Sequence, residues 1–75
     1  MEVSASHKKL GAQLLQRRRL KDLSQSEVAE LAGLTQSTVS SIEKGEGLNP
    51  TLKTLFKICD VIGCDIILVE KIRRE

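Results

Sequence analysis

The sequence predicts a mainly α chain, a compact domain of four helices followed by a C-terminal β-strand that pairs with a second subunit. Three observations lead there. Between Ser24 and Glu43, two helix-length segments flank Gly33-Leu34-Thr35, and Ser24 and Thr35 stand where helix caps stand. On either side, Lys8–Leu20 and the stretch after Pro50 carry apolar residues at helical spacing. The chain then runs into Asp65-Ile66-Ile67-Leu68-Val69-Glu70-Lys71-Ile72, whose consecutive β-branched residues favour extended backbone. The expected division is a flexible N-terminal arm over 1–7, the helical domain over 8–63, a dimerising strand over 64–72 and a tail over 73–75.

The first helix is expected from Lys8 to Leu20, with Ser6 as its cap, and turns Leu10, Leu14 and one side of Arg17 and Arg18 inward. An arginine facing inward needs a partner, because an unpaired buried charge is very costly. The second helix opens on a capping box, Ser24 with Glu27 three residues on, and runs to about Ala32. Its expected apolar stripe is Val28, Leu31 and Ala32, with Ala29 small where the next helix approaches. Gly33 stops it and Leu34 anchors the turn. Thr35 caps a third helix over Gln36–Lys44, in which Val39 and Ile42 face inward and Gly45 ends the element. After a loop over 46–50, Asn49 or Thr51 starts a fourth helix. Its expected core residues are Leu52, Leu55, Phe56, Cys59 and Ile62, with Gly63 closing it.

The outer face of the third helix is Gln36, Ser37, Thr38, Ser40 and Ser41. It carries no charge before Glu43, in a chain that is 29% charged. Uncharged hydrogen-bonding side chains are what major-groove base edges require, glutamine pairing bidentate with adenine and serine or threonine serving several edges. The plainer reading is a solvated polar helix, and the turn in front of it favours the first. The net charge of +2 hides a concentration of base: Lys8, Lys9, Arg17, Arg18, Arg19 and Lys21 have no acid among them. A basic helix beside a neutral one suggests phosphate contacts flanking base contacts. Gln25, in the first turn of its helix, stands where N–H groups and the dipole favour an anion.

Composition excludes several other classes. At 75 residues a domain buries only about 60% of its unfolded surface, so self-association is expected. No apolar run approaches a membrane span and the N-terminus has no signal-peptide pattern, so a cytosolic protein is expected. Cys59 and Cys64 lack zinc spacing and are expected to be buried, inert thiols, and His7 has no ligand neighbours. No metal, cofactor or enzymatic activity is expected, since neither an activated nucleophile nor a glycine-rich phosphate loop is present.

The series Arg17-Arg18, Leu23-Ser24-Gln25, Val28-Ala29, Ala32-Gly33-Leu34-Thr35, Val39, Ile42-Glu43, Gly45 and Asn49-Pro50-Thr51-Leu52 resembles the Cro and phage-repressor-like (XRE-type) helix-turn-helix proteins over about Leu10–Gly63. That resemblance implies a lambda-repressor-like domain on double-stranded DNA, with an ion pair between Arg18 and Glu43 whose guanidinium also faces a phosphate. It implies that Gln25 contacts a phosphate and braces Gln36, and that the helix start at Thr51, helped by Lys53, is a second phosphate clamp. Base contacts are then expected from Gln36, Ser37, Ser40 and Ser41, and phosphate contacts from Gln25, Arg17, Arg18, Arg19, Thr38, Thr51 and Lys53. The chain departs from the pattern at Leu20 and Asp22, where a charged residue and a glycine are common.

In the tail, alternation puts Ile66, Leu68 and Ile72 on one face and Ile67 and Val69 on the other. Nothing else in the chain reads as a strand, so the simplest partner is the same segment of a second copy, antiparallel about a two-fold axis. Ile66, Ile67, Leu68 and Val69 would form the dimer interface. A fifth helix packed on the bundle is the alternative. A homodimer would set two recognition helices roughly 34 Å apart to read an inverted repeat. Leu52–Ile58 together with Asp65–Val69 are similar to the HipB-like antitoxins, which implies a HipA-like kinase toxin as partner and autoregulation of an operon. A stand-alone repressor, or an interaction module using the helix-turn-helix as scaffold, are the alternatives.

Overall fold

A computed structural model describes residues 3–46 and 50–70. It consists of α1 (Val3–Leu20), α2 (Gln25–Ala32), α3 (Gln36–Lys44) and α4 (Leu52–Ile62). The expected N-terminal arm over 1–7 is thus shortened, because α1 begins at Val3 and Ser6 lies inside it rather than capping it. Nothing in Val3–His7 breaks a helix, so the backbone bonds of the following turns extend back through it. Asn49 as an alternative cap, Ile72 in the strand and the tail over 73–75 lie outside the described residues.

Each of the inner helices starts on a hydroxyl. Ser24 Oγ accepts from the Glu27 N–H at 3.0 Å while Glu27 Oε1 accepts from the Ser24 N–H at 2.8 Å, completing the capping box. Thr35 and Thr51 cap α3 and α4 in the simpler way, each accepting from the N–H three residues on at 3.1 Å.

The helix ends share a second device. At the end of α1, the Asp22 N–H donates to Arg19 O at 3.0 Å and the Leu23 N–H to Arg18 O at 3.3 Å, with Asp22 at φ 57°. This is a Schellman closure, and the left-handed residue in it is an aspartate. Gly33, at φ 71°, occupies the corresponding place in the turn between α2 and α3. The departure at Asp22 therefore falls where glycine is cheapest. Asp22→Gly should remove the side-chain penalty of the left-handed region at some cost in unfolded-state entropy, a net gain of about 0.5 kcal/mol. A urea titration should move its midpoint upward, and a lower midpoint would contradict this account.

The core joins the inward faces of all four helices: Leu14, Val28, Ala29, Val39, Ile42, Leu55, Ile58, Cys59 and Ile62. Leu10, Leu23, Leu34, Val61 and Cys64 pack against it from the rim. Two expectations fail on helical phase. Leu31 is 66% exposed, and Ala29 takes its place in the buried stripe of α2. In α4, Leu52 and Phe56 are 63% and 47% exposed, while Ile58 is buried. The buried set Leu55, Ile58, Cys59 and Ile62 is a stricter i, i+3, i+4, i+7 stripe than the one expected.

At two glycines, α1 comes close to the backbone at the C-terminal end of α3. Gly11 is buried, and a Cβ there would fall inside contact distance of the Ile42 carbonyl oxygen and 2.6 Å from that of Glu43. One turn earlier, a Cβ on Gly45 would stand 2.6 Å from the Lys8 Cα. The absence of two side chains lets the backbones touch.

After Gly63 the chain continues over residues 64–70 with neither helix nor strand. Among the described residues there is no β-strand, and the fifth helix does not form there either. A strand satisfies its backbone only against another, and the described residues of a single copy offer none. The segment instead leaves Ile67, Leu68 and Val69 exposed at 75%, 99% and 79%. Beside it runs a groove of about 700 Å³ whose lining includes Leu10, Leu14, Cys59 and Ile66. Cys59 is buried and its thiol pKa is pushed up, mainly by that burial. Cys64, expected to be buried as well, is half-buried. No helix among the described residues is long and apolar enough to cross a membrane.

Candidate nucleic-acid interface

The surface around the turn is fixed by one carboxylate. Glu43 Oε2 accepts from Arg18 Nε at 2.6 Å, and its Oε1 accepts from Arg18 Nη2 at 3.0 Å and from Gln25 Nε2 at 2.9 Å. Arg18 Nη1 donates to the Leu23 carbonyl at 2.8 Å. Arg18 and Glu43 are both 8% exposed, and the fork-to-fork geometry answers the desolvation of two charges with directional hydrogen bonds. The hydrogen bond to Glu43 raises the Arg18 pKa further, against a smaller opposing effect of burial. Among the described residues no buried side-chain nitrogen or oxygen lacks a partner. The cluster joins the last turn of α1, the first turn of α2 and the last turn of α3.

This geometry changes two expected roles. Arg18 spends Nε, Nη1 and Nη2 on the protein and is buried, which leaves its guanidinium less free for a phosphate than expected. Gln25 braces Glu43 and not Gln36. Gln36 is instead met by Ser26, whose hydroxyl donates to Gln36 Oε1 at 3.0 Å. Ser26 was not legible as a site residue: its contact crosses from one helix start to another, and spacing within a helix carries no sign of it.

Gln36 and Ser37 are exposed on the first turn of α3, whereas Thr38, Ser40 and Ser41 are half-buried along its flanks. The Thr38 hydroxyl lies 2.9 Å from that of Thr35, which leaves it less free for a ligand. Arg17 and Arg19 flank the buried Arg18 and are exposed. Thr51 and Lys53 are exposed at the start of α4, with Thr51 Oγ1 bonded to Thr54 Oγ1 at 3.1 Å. Two capped helix starts and an uncharged outward face thus belong to a short-turned helix pair, while Arg17 and Arg19 are exposed on α1, Arg17 beside the groove along the tail.

A helix-turn-helix family model matches residues 14–69, a span that includes the whole of α2, turn, α3 and α4. The chain belongs to the XRE-type helix-turn-helix family. Among relatives, it is 41% identical over 59 residues to the ImmF control region 10 kDa protein of Bacillus phage phi105 and 37% identical over 68 residues to the transcriptional regulator SinR of Bacillus subtilis. These alignments cover 79% and 88% of this chain but 64% and 61% of the relatives, so the chain spans less than two thirds of their length. The crystal structure of the restriction-modification controller protein C.AhdI from Aeromonas hydrophila superimposes with a TM-score of 0.80 at 31% identity, covering 87% of this chain and 93% of that one. Members of the family are DNA-binding transcription regulators, and the chain carries that DNA-binding fold.

Proposed function

We propose that the chain is a sequence-specific transcriptional repressor that binds an inverted-repeat operator as a dimer, with α3 in the major groove. The observation that carries the reading is the first turn of α3. Gln36 and Ser37 are exposed and uncharged there, on a helix whose far end is tied through Glu43 to α1 and α2. In this reading Gln36, Ser37, Ser40 and Ser41 face base edges, and Arg17, Arg19, Thr51 and Lys53 bind phosphates. Gln25 adds a phosphate contact through its remaining amide hydrogen. The exposed run Ile67-Leu68-Val69 supports a dimer through paired tails.

The decisive variant is Gln36→Ala. Its affinity for the operator should fall by about 1 to 3 kcal/mol per half-site, while binding to random duplex DNA stays the same. A gel-shift titration with both DNAs measures this, and equal weakening of the two would show that α3 does not read sequence.

The names of the relatives, a phage control-region protein, a transcriptional regulator and a restriction-modification controller, support a regulator of gene expression. The antitoxin reading, with a HipA-like kinase as partner, rests on the resemblance of Leu52–Ile58 and Asp65–Val69.

A further inference from the structure

Both cysteines of the chain stand where α4 gives way to the tail. The Cys64 N–H donates to the Cys59 carbonyl at 2.9 Å across Gly63, whose φ of 70° is left-handed. That bond is the six-to-one link of a Schellman closure, in which the side chains at its two ends, here Cys59 and Cys64, come together over the last turn. Backbone bond lengths and a hydrogen bond of this length hold the two Cα atoms within about 6.8 Å, the outer limit of what a disulfide ordinarily spans. Both residues line the groove beside the tail, and Cys64 packs against the core to which Cys59 belongs. The two are unequal. Cys59 is 3% exposed and Cys64 is half-buried, so a small solute in the groove reaches Cys64 first. Burial pushes the Cys59 thiol up, and the next contribution comes from Cys64, as expected of close neighbours.

We infer that Cys59 and Cys64 form a redox modification site, a dithiol that hydrogen peroxide converts to an intrachain disulfide. Cys64, as the thiolate, attacks one peroxide oxygen. The O–O bond breaks, the departing hydroxide takes up the thiol proton as water, and Cys64 becomes a sulfenic acid. The Cys59 sulfur then attacks the Cys64 sulfur: the S–S bond forms, the S–O bond breaks, and the hydroxyl leaves with the Cys59 proton as a second water. The two thiols have lost two electrons and the peroxide has gained them. A thiol reductant reverses the bond by exchange. The disulfide ties the first residue of the tail to the last turn of α4, which lowers the cost of ordering the tail against a second copy. That consequence rests on the proposed dimer, whereas the chemistry does not.

The test treats the full chain, Cys64→Ser and Cys59→Ala with one equivalent of hydrogen peroxide, followed by intact-mass measurement, non-reducing electrophoresis and sedimentation equilibrium. The full chain should lose the mass of two hydrogens, run as a single chain without reductant, and regain both hydrogens with dithiothreitol. Cys64→Ser should keep its mass, because peroxide does not reach Cys59. Cys59→Ala, which lacks the second thiol, should hold a sulfenic acid at Cys64 that dimedone labels. The dimer dissociation constant of the full chain should fall by about threefold or more on oxidation, and that of Cys64→Ser should not respond. A disulfide joining two chains, equal oxidation of Cys64→Ser, or no change in mass would overturn the site. An intrachain bond with a dimer constant unchanged or raised overturns its action on the tail. A chain that is monomeric in both states sinks the dimer reading and that action with it, while the site stands on the mass and the dimedone label.

Discussion

Glu43→Ala should remove most of the stability of this domain. The substitution leaves the Arg18 guanidinium buried with only the Leu23 carbonyl for company, and stranding one partner of a buried pair costs about 3 to 5 kcal/mol. A domain of this size has roughly 4 to 11 kcal/mol to lose. Gln25 loses its acceptor in the same step, which adds to the cost. The interpretation is separable from simple loss of packing. Replacing both members, Arg18→Met with Glu43→Leu, removes the stranded charge and should recover a large part of the deficit, because an apolar pair of similar volume needs no desolvation. Urea denaturation of the two single variants and the double variant gives the coupling energy directly. A coupling near zero would mean that the two residues contribute independently and that the pair is not what holds the helices together.

Gly11→Ala should be destabilising although alanine is the better helix former. The propensity gain is about 1 kcal/mol. Against it, the new methyl would enter the space of two carbonyl oxygens of α3, and backbone cannot rotate away as a side chain can. Overpacking of a rigid contact costs about 1 to 3 kcal/mol, and two backbone oxygens inside contact distance put this site at the upper end, so a net loss of up to about 2 kcal/mol is expected, or a thermal midpoint lower by up to roughly 8 to 16 °C. Gln13→Ala, at an exposed position of the same helix, should shift the midpoint little. Circular dichroism melts of both variants decide the matter. A Gly11→Ala protein as stable as the parent would show that α1 can move off α3 at no cost.

The parts of this structure that the sequence announced are those whose physical cause is local. Ser24 with Glu27, Thr35, Thr51 and the glycines after α2, α3 and α4 mark helix ends through bonds that span three to five residues, and each stands where its residue type places it. Gly11 gave no such signal. A glycine inside a helix has many explanations, and the one that applies depends on how closely another helix passes. The inward face of α4 differs from the expected one because Leu52, Leu55, Phe56, Ile58, Cys59, Val61 and Ile62 leave little polar contrast with which to fix the helical phase. Packing against α2 selects the stripe of Leu55, Ile58, Cys59 and Ile62. At the interface, the outward position of Gln36 and Ser37 followed from the pattern of Val39 and Ile42, while the partner of the Gln36 amide depended on how α2 and α3 cross. The tail is a different case, since its expected conformation requires hydrogen-bond partners that a single copy does not contain.

The Glu43 carboxylate, shared by side chains of α1 and α2 while standing on α3 itself, has a consequence for the thermodynamics of association. Three helices contribute to the outward surface, and their relative positions are set before any ligand arrives. In the proposed reading, a duplex meeting that surface need not order these helices, and the conformational entropy lost there is that of exposed side chains such as Gln36 and Ser37. The entropy of arranging the helices has already been lost in folding, at a point 25 residues of sequence away from its partner.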